Sequence, residues 1–129
     1  MDSYTVALFG EAEKGEFQTA YFCQTLPDLV EYLGNPPPNS HGLYCAVQAL
    51  LYHYNLIFLR VREEGFSYQD YLAGLQLLEA QNLIAHIAAL CLPGVGDAKI
   101  IEVVTPFCVV HHSVMITSEG DLYDYLTSA

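Results

Sequence analysis

Positive charge is what this chain has least of. Of its 129 residues only four are basic, Lys14, Arg60, Arg62 and Lys99, against fifteen acids, which leaves a formal net charge of −11. Nucleic-acid binding rests on clustered Lys and Arg that neutralise phosphates, so a surface of that kind is excluded. An acidic decoy of nucleic acid would array its carboxylates densely on one surface. Here they are scattered, and they concentrate at turns and at expected helix starts.

Long apolar runs are missing as well. The longest nearly apolar stretch, Leu83 to Leu92, is broken by His86, and a spanning helix needs about 20 such residues. No membrane span is expected. The opening Met1-Asp2-Ser3-Tyr4 is acidic and polar, where a secretory leader has a basic start and an apolar stretch, so the sequence reads as cytoplasmic. Cys23, Cys45, Cys91 and Cys108 are widely spaced and set in apolar segments. In such a chain they read as reduced, buried, small hydrophobes rather than a disulfide framework. Repeats and low-complexity tracts are absent, and Gly34-Asn35-Pro36-Pro37-Pro38-Asn39 is the only linker-like piece.

What is present is apolar. Hydrophobic residues make up 53% of the chain, enough at this length for one core and one domain, residues 1–129, without staples. Residues 5–11 and 17–24 are strand-like, and the short polar connection between them predicts an antiparallel hairpin. Thr25-Leu26-Pro27-Asp28 has the cap, the early proline and the acid of a helix start, and Gly34 stops that helix. A second helix follows Ser40, with Leu43, Val47, Leu50, Leu51 and Tyr54 at helical spacing. Leu56 to Val61 is a strand, Ser67 opens a third helix, and Ile84 to Leu92 is a strand buried on both faces. Asp97 opens another helix, which Pro106 kinks or splits. Val114 to Thr117 is the last strand, and Ser118-Glu119-Gly120-Asp121 caps a final helix.

The order β-β-α-α-β-α-β-α-β-α implies parallel crossovers in its later part. This pattern is similar to small Rossmann-like or flavodoxin-like domains: an α/β fold with a mostly parallel sheet flanked by helices and an antiparallel edge from the N-terminal hairpin. The resemblance rests on element order alone and carries no catalytic residues.

Such sheets bind ligands beyond the carboxyl ends of their strands. The turn Pro93-Gly94-Val95-Gly96-Asp97 sits there, and a glycine loop before a helix can cradle phosphate with backbone N–H groups. The Rossmann glycine pattern and the P-loop Gly-Lys-Ser/Thr are both absent, and Asp97 puts a carboxylate where an anion would sit. A tight turn with Asp97 as helix cap is the simpler account. Arg60 and Arg62 share one face of one strand; they either pair with Glu63, Glu64 or Glu102, or hold a carboxylate or phosphate. The candidate ligand contacts are therefore Arg60, Arg62, Gly94, Gly96, Asp97, Lys99 and Ser118.

Cys91 ends a strand before a glycine turn, as the nucleophile of tyrosine phosphatases does. The arginine those enzymes need six positions later is Asp97 here, so thiolate catalysis is not expected. Cys108, His111 and His112 have helical ligand spacing but no apparent fourth partner. Catalytic residues, a metal and a cofactor are all expected to be absent. The ten tyrosines suit interfaces. The expectation is a non-enzymatic interaction or assembly protein that self-associates or takes a protein partner, with Tyr44 to Tyr54 as a contact segment. A domain for a small anionic ligand such as a nucleotide or sugar phosphate is the alternative.

Overall fold

A computed structural model describes residues 5–80 and 87–128. Its strands are β1 (Thr5–Gly10), β2 (Ala20–Cys23), β3 (Asn55–Arg60), β4 (Ile87–Cys91) and β5 (Val114–Ile116). Its helices are α1 (Leu26–Leu33), α2 (Gly42–Leu51), α3 (Tyr68–Ala80), α4 (Ala98–His111) and α5 (Glu119–Thr127). The sheet order is β2-β3-β1-β4-β5. β1 is parallel to β3 and β4, and β4 to β5, while β2 runs antiparallel to β3. The fold is α/β. Setting β2 aside, the parallel strands follow the flavodoxin-like order.

The antiparallel edge exists, but β2 lies on β3, with Tyr21 opposite Phe58, and not on β1. The reason lies in the two sequences. Every residue of β1 is buried, the pattern of a strand covered on both faces and paired on both sides. β2 alternates an exposed Phe22 with a buried Cys23, which suits an edge.

Alternation along the strands makes two apolar layers. On one face Val6, Leu8, Leu56, Phe58 and Cys91 meet Leu29 of α1, Leu43, Ala46 and Leu50 of α2, and Leu122 of α5. On the other, Ala7, Phe9, Ile57, Leu59 and Leu90 meet Tyr71, Leu75 and Leu78 of α3 and Ile100 and Val104 of α4. The pairing of β1 with β4 slips between Thr5 and Val6, a bulge that restores the alternation further along.

The expected caps form. Thr25 accepts from the Asp28 N–H, Asp97 from the Lys99 N–H, and Ser118 from the Asp121 N–H. α4 continues through Pro106 to His111, so the proline does not split the helix. Residues 84–86 of the expected fourth strand lie outside the described residues. Among the described residues, no helix is long and apolar enough to cross a membrane.

Candidate functional site

The carboxyl ends of β1, β3, β4 and β5 open on one edge of the sheet, where the order reverses between β1 and β4. In this fold class that crevice is the ligand site. Here the part of it over β1 and β3 is filled by the chain's own backbone and by the carboxylates of Glu64 and Glu11.

α2 begins directly over the end of β1. A Cβ placed on Gly10 would lie 2.7 Å from Cα of Gly42, so both positions need glycine for the helix to seat. α2 has no side-chain cap of its own, because His41 makes no such bond. Glu64, from the loop after β3, supplies it. Glu64 Oε1 accepts from the His41 N–H at 2.8 Å, and Oε2 accepts from the N–H groups of Gly42 at 2.9 Å and Glu11 at 2.8 Å. In return Glu11 Oε2 accepts from the Glu64 N–H at 2.9 Å. The Glu64 carboxylate thus fills the place at a helix N-terminus that an anion would take. Glu64 is only 9% exposed.

The loops after β3 and β4 close against each other. Gly65 has φ +87°, and a Cβ there would lie 2.4 Å from the Gly94 carbonyl oxygen. The Gly65 N–H donates to the Tyr71 hydroxyl at 2.8 Å. Burial pushes the Tyr71 phenol well above its ordinary pKa, against the lowering effect of that hydrogen bond, and the charges of Glu64, Glu11 and Asp70 add to the rise. It stays a neutral strut.

The residues singled out in the sequence fall in three places. Gly94 and Ser118 line a cavity of about 410 Å³ with His41, Pro93, Thr117 and Glu119. His41 Nδ1 lies 2.9 Å from Glu119 Oε1. The Gly94 N–H donates to the Thr117 carbonyl and the Val95 N–H to that of Leu92; with Asp97 holding the Lys99 N–H, these donors of the glycine turn are committed internally. Gly96 has open space around its Cα.

Arg60 and Arg62 stand apart from that cavity. Their guanidinium carbons lie 4.4 and 4.3 Å from the centre of the Phe17 ring. Arg60 donates to the Gly15 carbonyl. Arg62 forms an ion pair with Asp70, whose carboxylate also accepts from the Arg62 N–H at 2.8 Å. The partner of Arg62 is thus Asp70, not one of the three glutamates expected from sequence. The Asp70 side chain is 3% exposed and that of Arg62 59%.

The cysteines are buried and unbridged. Contact with Cys45 and burial both hold the Cys91 thiol far above its ordinary pKa, so it carries no thiolate at neutral pH. Burial pushes Cys23 up to about 12, with Asp28 adding to the effect, and Cys108 up to about 11. Cys108 faces the core while His112 caps α4 in the left-handed region at φ 59°, so these two do not converge. Among the described residues, no group of three His, Cys, Asp or Glu is placed to hold a metal ion.

Sequence reasoning missed Glu64 as a cap and Phe17 as the ring under both arginines. A signal for the first existed: α2 opens on His41-Gly42 where Ser, Thr, Asp or Asn is usual, so its donors needed a partner from elsewhere. The chain matches no protein-family model, and no curated protein or solved structure is similar enough to it to count as a match.

Proposed function

We propose that this protein is a non-enzymatic interaction module whose contact surface is the outer face of α2 with the adjoining side of α5. The observation that carries this reading is the composition of α2. Gly42–Leu51 contains no charged residue, although a surface helix normally turns a charged side to water. Tyr44, Leu51 and Tyr52 are 56%, 58% and 41% exposed, and Tyr123 of α5 is 50% exposed. The rings of Tyr52 and Tyr123 meet edge to face at 6.3 Å. Exposed tyrosine and leucine gathered on two neighbouring helices make the kind of surface that partners cover.

A photo-crosslinking side chain placed at Tyr44 tests this in cells. It is expected to capture protein, a second copy included, far more efficiently than the same group at the exposed Glu102 on the opposite helical layer. Equal yields at the two positions would refute the reading.

A second reading is a small-ligand site in the cavity between His41, Gly94 and Ser118, supported by its place at the strand ends. The internal use of the turn's N–H groups weighs against an anion there. Thermal shift with nucleotides and sugar phosphates tests it: a rise abolished by His41→Ala would favour this reading, and no response would remove it.

A further inference from the structure

We draw no further inference here: the strongest candidate, the apolar groove of about 350 Å³ between α3 and α4 lined by Leu72, Val103, Phe107 and Val110, carries nothing because nothing in the structure shows what covers it.

Discussion

Glu64→Ala removes the acceptor for the N–H groups of Glu11, His41 and Gly42. A hydrogen bond to a charged group contributes about 1.5–3 kcal/mol, and a buried donor left unmade costs about as much. Gly42 is buried, while the other two sites are partly wet and recover some bonding from water, so a total loss of about 3–5 kcal/mol is expected. With an unfolding entropy of about 2.1 cal/mol/K per residue, that loss over 129 residues lowers Tm by about 11–18 °C. Glu64→Gln keeps one oxygen, which can serve Glu11 and Gly42, but turns an amide N–H against the His41 donor. It should cost about half as much. The alanine variant also exposes an empty helix N-terminus. Phosphate at ten times its dissociation constant would then return about 1.4 kcal/mol, or about 5 °C. Calorimetry or thermal melts of the three proteins, with and without phosphate, read all of this; the wild type controls for general salt effects. A Tm within about 3 °C of wild type for the alanine variant, a glutamine variant as unstable as the alanine one, or equal phosphate effects in variant and wild type would refute the account of Glu64 as an internal anion.

The remaining predictions concern the same edge and the core behind it. Gly65→Ala forces a Cβ to 2.4 Å from the Gly94 oxygen at a positive φ and should destabilise by about 2–4 kcal/mol in urea unfolding, whereas Gly96→Ala meets nothing within 4 Å and should be neutral or up to about 1 kcal/mol stabilising. Asp70→Ala should cost about 2–4 kcal/mol because the Arg62 N–H loses a buried acceptor. Arg62→Ala should cost about 1 kcal/mol, its side chain being largely solvated; reversal of that order in unfolding experiments would contradict the ion-pair reading. Cys23 and Cys108 have folded thiol pKa values above the unfolded one, near 12 and 11 against 9.0. Their contribution to stability is therefore complete below pH 9 and is lost as pH rises from about 9 to 12, a fall in Tm that Cys23→Ser, Cys108→Ser should flatten.

Local chemistry was the legible part of this sequence. Thr25, Asp97 and Ser118 each read as caps and each is one, because a cap depends on residues within three positions of itself. The α/β class followed in the same way from the alternation of apolar runs and periodic segments. What failed to show was decided by contacts distant in sequence. Residues 5–11 and 17–24 look like a hairpin because they are neighbours in the chain, yet β3 comes between them, so that β1 is paired in parallel on both sides. Arg62 has two acids next to it in sequence and pairs instead with Asp70, which the turn into α3 carries back under the strand. Glu64 reads as one acid in a charged loop. Its role depends on α2 starting without a cap far up the chain, and no window of sequence contains both halves of that arrangement.

The closure of the strand-end crevice redirects the search for function. In an open α/β sheet the reversal of strand order leaves helix N-termini facing an empty cleft, and ligands exploit the free donors. Here α2 meets β1 glycine to glycine, Glu64 takes the donors, and Gly65 abuts Gly94. The two arginines that might have drawn an anion are stacked on Phe17 instead. Each of these contacts spends a polar group internally, and together they leave that part of the edge largely self-satisfied, beside the cavity at His41, Gly94 and Ser118. The outer side of α2 is the reverse case. The buried side of this helix is fixed by Leu43, Cys45, Ala46, Ala49 and Leu50, yet its outer stripe keeps Tyr44, Leu51 and Tyr52 in water, where polar residues would fold equally well and be more soluble. That exposed apolar surface, which packing does not require, is what the proposed contact face rests on.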